Sequence, residues 1–187
     1  MNLQHHLLIA MPTLEDAFFH HAVVYICEHN AEGAMGLVIN KPKKDLSIRE
    51  MLTRLDMDIL PGTDSKKLDR QVFNGGPISD ERGFILHTPA DHYQSSLAVS
   101  TDTAVTASRD ILESLANSSL PGETLVALGY CSWDEGQLEH EILDNTWLTV
   151  PATKQILFQT PPAERWHKAA TLLGINIHTI SAETGHC

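Results

Sequence analysis

The 187 residues carry 24 acidic against 13 basic side chains, a formal net charge of −11, with 42% hydrophobic and 20% charged residues. This length and usage predict one globular domain that buries roughly 70% of its unfolded surface and needs no disulfide or metal staple. The negative sign excludes broad long-range attraction to nucleic acid or to anionic membranes.

In chain order, Leu7–Met11 is an apolar run stopped by Pro12 and predicts a short buried strand. Ala22–Glu28 and Met35–Asn40 predict two more strands, joined as a hairpin by a longer loop over His29–Gly33. Pro42 has no N–H to donate and is expected to end that ladder. Ser47 with Glu50 forms a capping-box pattern, and Ile48, Met51, Leu52 and Leu55 then fall on one helical face. Residues 56–70 are polar, contain Pro61-Gly62, and read as a surface loop. Lys66, Lys67 and Arg70 there, like Lys41, Lys43 and Lys44, read as solvated turn residues.

Val72-Phe73 leads into Asn74-Gly75-Gly76-Pro77, a tight-turn sequence, and Gly83–His87 is strand-like. A brief strand is expected over Leu97–Ser100. A helix over Ser108–Leu115 would bury Ile111, Leu112 and Leu115. After a Pro121-Gly122 turn, Thr124–Tyr130 is the most apolar strand and is expected at the centre of the sheet. Asp134–Leu143 predicts a helix with Leu138, Ile142 and Leu143 inward, and Thr146–Val150 a strand before Pro151. Pro161-Pro162 opens a helix that runs through Trp166, Ala169 and Leu173 to Gly174. Ile175–Ile180 is expected to close the sheet, and the tail over 181–187 to fray. Hairpins stand where a doubly wound fold would need helical crossovers. The expectation is therefore α+β: one compact domain over 1–187 with a bent, mostly antiparallel sheet flanked by helices.

Cys27, Cys131 and Cys187 form no C-x-x-C pair and supply no disulfide framework, which fits a reducing, cytoplasmic setting. No signal-length apolar core and no stretch of ~20 apolar residues is present, so neither secretion by an obvious signal nor a membrane span is expected.

Four constellations bear on chemistry. Gly75 and Gly76 could turn backbone N–H groups toward an anion, although neither nucleotide-binding glycine pattern is present and a plain turn explains them equally. In Trp133–Glu141, a helix would place Gln137 with Glu141 on one face and Glu135 with Glu139 on another. An indole beside the Gln137 amide can grip a flat or polar ligand, with core packing as the ordinary alternative. The 11 histidines include the adjacent pairs His5-His6 and His20-His21 but no H-E-x-x-H, so no metal is expected. Cys131 or Glu139 could serve with His87 as nucleophile and base only if folding unites them.

Three blocks occur together and in order: Gly33-Ala34-Met35-Gly36-Leu37-Val38-Ile39-Asn40-Lys41-Pro42; Phe73-Asn74-Gly75-Gly76-Pro77 with Arg82-Gly83-Phe84-Ile85-Leu86-His87; and Leu128-Gly129-Tyr130 with Trp133 and Gln137-Leu138-Glu139. This pattern resembles the AlgH/YqgE family of bacterial proteins from His6 to the C-terminus. The resemblance implies a compact α+β fold with a bulged antiparallel sheet. It implies a historical label of transcriptional regulator tied to alginate production, and no agreed catalytic residues or cofactor. Cys131-Ser132 departs from the small residue and glycine that the family places before Trp133.

The residues and the resemblance together point to a non-enzymatic cytoplasmic binding or regulatory protein, with any effect on transcription indirect. Its expected surface comprises Asn40, Asn74, Gly75, Gly76, His87, Trp133, Gln137 and Glu139, engaging an unidentified protein or small molecule. No cofactor is expected. The alternatives are a hydrolase using His87 with Glu139 or Cys131, and a direct transcriptional regulator. The second lacks any DNA-reading motif or basic face, and DNA contact is not expected.

Overall fold

The computed structural model describes residues 1–88, 93–117 and 122–180; the tail at 181–187, with Cys187, and Pro121 of the expected turn lie outside them. Continuous apolar runs build β1 His6–Ala10 and the first half of β2 Val23–Asn30, and β3 Gly33–Val38, β4 Pro42–Ser47 and β5 Gln71–Asn74 follow. The chain continues with β6 Ile78–His87, β7 Ser96–Ala98, β8 Ala104–Thr106, β9 Thr124–Asp134 and β10 Trp147–Pro151. The helices are α1 Ile48–Arg54, α2 Ser65–Leu68, α3 Arg109–Ala116, α4 Gln137–Leu143, α5 Pro162–Thr171 and α6 Ile177–Ile180. A π-helical turn covers Gln155–Gln159.

The strands lie in the order β10-β1-β2-β3-β9-β6-β8-β7, with β4 and β5 branching from β9. Every pairing is antiparallel except β5 with β9. The α+β class and the mostly antiparallel sheet are thus observed. The period-two side-chain alternation of strands divides the core between two sheet faces. Leu7, Ile9, Val23, Tyr25 and Leu37 pack with Trp166 and Ala169 of α5. Leu8, Ala10, Val24, Ile26 and Val38 pack with Trp133, Trp147 and Leu138 of α4. Ile85 and Val126 join the second face under α1 and α3, with Leu52 and Ile111 fully buried. Both faces of the curled sheet are covered, and β1, β2, β6 and β9 each serve two core layers.

Several expectations are corrected. The β2–β3 loop is tight, since Asn30 pairs with Gly33 across only Ala31-Glu32. The β2–β3 ladder does end before Pro42, at Val38, but Pro42 also begins β4, because the first position of a strand tolerates a missing N–H. The capping box at Ser47 and Glu50 forms, but Leu55 is exposed as the helix cap. The 56–70 segment contains α2, whose Leu68 anchors it in the core. β9 extends to Asp134, so α4 starts later, and Leu143 is 78% exposed. Ile175–Ile180 contributes α6, not a strand: the chain turns at Gly174, φ +70°, and buries Ile177 beneath α5.

The Asn74–Pro77 segment is no hairpin turn. Phe73 and Asn74 pair with Ala127 and Leu128 on one edge of β9, while Gly83 and Phe84 pair with the same two residues on the other. The chain therefore crosses β9 between residues 74 and 78. A Cβ on Gly76 would lie 2.0 Å from the Tyr130 carbonyl, and one on Gly75 2.4 Å from the Gly129 oxygen. Gly129 itself adopts φ +78°. Glycine is required here because two backbones pass in contact.

Candidate functional site

At the C-terminal end of β9, the crossing segment, α4 and β10 enclose a cleft of about 370 Å³. Pro77 and Ile78 line it together with Cys131–Trp133, Gln137, Glu141 and Trp147. The glycine segment and the Trp133 region, far apart in the chain, thus meet. The connection is close below the cleft as well, where the Cys131 thiol approaches the Gly75 oxygen at 3.5 Å.

Glu141 organises the site. Its Oε2 accepts the indole N–H of Trp133 at 2.9 Å and that of Trp147 at 2.8 Å. Its Oε1 accepts from the Gln137 amide at 2.9 Å. Gln137 in turn accepts the Asp134 backbone N–H at 3.0 Å, fixing its amide orientation. Helical spacing places Gln137 and Glu141 on one face of α4. Strand pairing brings Trp133, and β10 brings Trp147 edge-on to it at 6.2 Å between centroids. Of about four acceptor positions on a carboxylate, three are taken by these N–H groups. Asp16 and Phe19 complete the mouth, with the Phe19 ring edge-on to Trp147 at 5.5 Å. Ser132 is exposed and lines the same cleft.

The remaining expected residues are placed elsewhere. Glu139 faces away from the cleft and bonds His29 Nε2 at 2.9 Å. His29 Nδ1 accepts the Leu3 N–H, so the ring proton sits on Nε2 and donates to Glu139. The carboxyl of Glu139 is held below its ordinary range, first by its own backbone N–H and then by His29, against the opposing pull of desolvation. Asn40 is a brace: Oδ1 accepts from Val23 N and Nδ2 donates to the His21 carbonyl, both at 2.8 Å. Asn74 and Gly75 spend their N–H groups on the Lys41 and Leu128 carbonyls, so no anion nest is built from them.

His87 is 1% exposed and bonds the Thr106 hydroxyl at 2.8 Å. It pairs with Thr124, whereas Cys131 pairs with Gly36 further along β9. At about 3.3 Å per residue the two lie roughly 20 Å apart. Burial pushes the Cys131 thiol up to about 12, which leaves it protonated near neutrality. Neither His87–Cys131 nor His87–Glu139 forms, because His87 pairs with the first residue of β9, Cys131 lies seven residues further along that strand, and Glu139 lies beyond its far end on α4, bonded to His29. Among the described residues no group of three His, Cys, Asp or Glu side chains is placed to hold a metal ion. Nor is any helix there long and apolar enough to cross a membrane.

The family model described as DUF179, AlgH-like, matches residues 7–178. The chain belongs to the AlgH-like family. Full-length relatives are the UPF0301 protein PC1_3712 of Pectobacterium carotovorum, 58% identical, and the UPF0301 protein YqgE of Salmonella agona, 54% identical, each covered completely by this chain and covering it completely. The solution structure of AlgH from Pseudomonas aeruginosa is 44% identical, with a TM-score of 0.79 over 100% of this chain and 97% of that one. Protein DIP2367 from Corynebacterium diphtheriae, at 16% identity, shares the fold with a TM-score of 0.72 over 96% and 91% of the two chains. The AlgH-like assignment agrees with the resemblance read from the sequence blocks. Sequence reading missed Glu141 and Trp147 as site residues; the signal for Glu141 was its position four residues after Gln137.

Proposed function

We propose that this AlgH-like chain is a non-enzymatic binding protein, and that the Glu141 cleft receives a donor-rich, cationic group of a partner, such as an arginine side chain. The observation that carries the reading is the fixed Glu141 carboxylate, oriented by two indoles and an amide in a walled cleft. Two carboxylates, Asp16 and Glu141, line the cleft, with no Lys, Arg or His among its described lining residues. The remaining Oε1 position accepts one N–H, and the partly buried Phe19 ring at the mouth favours a cation beside it. A formal charge of −11 supports a basic partner and argues against contact with a phosphate backbone. Free buried thiols at Cys27 and Cys131 support a cytoplasmic setting. Any influence on transcription then runs through this partner.

Tryptophan fluorescence during titration with Nα-acetyl-arginine amide tests the reading. Saturable quenching is expected with affinity of about 1 mM, and at least about fivefold weaker binding in Glu141→Gln. Equal quenching by Nα-acetyl-glutamate amide would remove the charge argument.

A further inference from the structure

A second cleft, independent of the Glu141 site, lies at the opposite end of β9 beside the start of α5. Thr124, Leu125, Arg70, Phe73, Leu157 and Arg165 are among its lining residues, and its volume is about 280 Å³. Although the chain carries a net charge of −11, this cleft has two arginines and no carboxylate among its described lining residues.

Arg165 is 4% exposed. Its Nε donates to the Thr160 carbonyl at 2.9 Å, its Nη1 donates to the Ile39 carbonyl, and its guanidinium lies 5.2 Å from the Phe73 ring centroid. Among the described residues no carboxylate pairs with it. A guanidinium has five N–H donors, and these contacts engage two. Burial lowers its pKa to about 10, so it remains cationic near neutral pH. An uncompensated buried cation is costly, and an arriving anion offsets that cost.

Two further observations point the same way. The Thr124 hydroxyl is buried with no hydrogen-bond partner among the described residues, a state that native proteins usually avoid. The ten-residue helix α5 begins at Pro161-Pro162 on the rim without a side-chain cap, directing its positive end toward the cleft. The π-turn shapes that rim: Thr160 N donates to the Gln155 carbonyl five residues earlier at 2.8 Å.

We propose that this cleft binds a small organic anion, with its carboxylate or phosphate group held by Arg165, Arg70 and the Thr124 hydroxyl and an apolar body against Phe73 and Leu157. Benzoate and phenyl phosphate serve as probes, and benzamide as the neutral counterpart, in titrations of 15N-labelled protein. The backbone amides of 124–126 and 155–165 are expected to shift saturably with at least one anion, with benzamide about tenfold weaker. The stronger anion identifies the head group. Arg165 braces Thr160 and Ile39, so Thr124→Val and Arg70→Gln carry the mutational test. Each is expected to weaken anion binding about three- to tenfold while leaving benzamide unchanged. Thr124→Val is further expected to keep or raise Tm, because it removes an unpartnered hydroxyl. The proposal is overturned if benzamide matches both anions, if neither anion moves these amides at about 10 mM, or if both variants bind like the parent.

Discussion

At the scale of single residues, Glu141 is held by three donors, and its neutral isostere tests what they contribute. Glu141→Gln replaces one acceptor oxygen with a donor, which must face either two indole N–H groups or the Gln137 amide. The expected loss is about 1–3 kcal/mol in urea unfolding, with a shifted tryptophan emission. Gly76→Ala brings a Cβ to 2.0 Å from the Tyr130 carbonyl and is expected to cost more than about 3 kcal/mol, or to abolish folding. At Gly62, φ +90°, an added Cβ meets nothing within 4 Å, so Gly62→Ala there is expected to cost only about 1 kcal/mol. Equal Tm losses for the two alanine variants would contradict the crossing geometry. These residues were only partly legible beforehand. Helical spacing exposes the Gln137–Glu141 pair, but nothing local to Trp147 shows that β10 returns it to the same carboxylate. Asn74-Gly75-Gly76-Pro77 has turn chemistry, and the same glycines also permit backbone crossing; sequence offers no means of choosing between them.

Among the elements, those with strong local signals form as expected. Ser47 accepts the Glu50 N–H and the Glu50 carboxylate accepts the Ser47 N–H, starting α1 where the capping box places it. Ser47→Ala is expected to fray that end, seen as faster hydrogen exchange confined to the first turn of α1. Unchanged exchange there would show that packing of Leu52 alone sets the boundary. Continuous apolar runs likewise revealed β1, β2 and the apolar half of β9. Short elements without such a pattern were hidden. β4 is mostly polar with Leu46 its single buried residue, and β8 is three residues long. Over 175–180 the β-branched residues suggest a strand, but burial of Ile177 against α5 overrides propensity and yields a helical turn.

Over the whole molecule, charge is divided between the two ends of β9: an acidic cleft at Glu141 and a basic one at Arg165. The sequence showed the net charge but not this division, because each cleft gathers side chains from distant segments. The protein's acid response follows from four carboxyls held below their ordinary range. Glu50 is lowered first by the Ser47 N–H, Asp102 by Lys154, Asp110 by the Ser108 hydroxyl, and Glu139 by its own backbone N–H. For a depressed carboxyl the unfolded chain binds its proton first as pH falls. The stabilising contribution is therefore full above the ordinary carboxylate range and is lost on descent through the depressed values. Urea midpoints are expected to fall progressively below about pH 4, less steeply in Asp102→Asn.

The role proposed for Glu141 and its two indoles is to receive a cationic group. The most direct test follows the indole Nε1–H resonances of Trp133, Trp147 and Trp166 as Nα-acetyl-arginine amide is added. Trp166 donates to the Ala10 carbonyl away from the cleft and serves as the internal reference. Saturable shifts are expected at Trp133 and Trp147, with little change at Trp166 and strong attenuation in Glu141→Gln. Unmoved Trp133 and Trp147 resonances, or identical shifts in Glu141→Gln, would contradict that role.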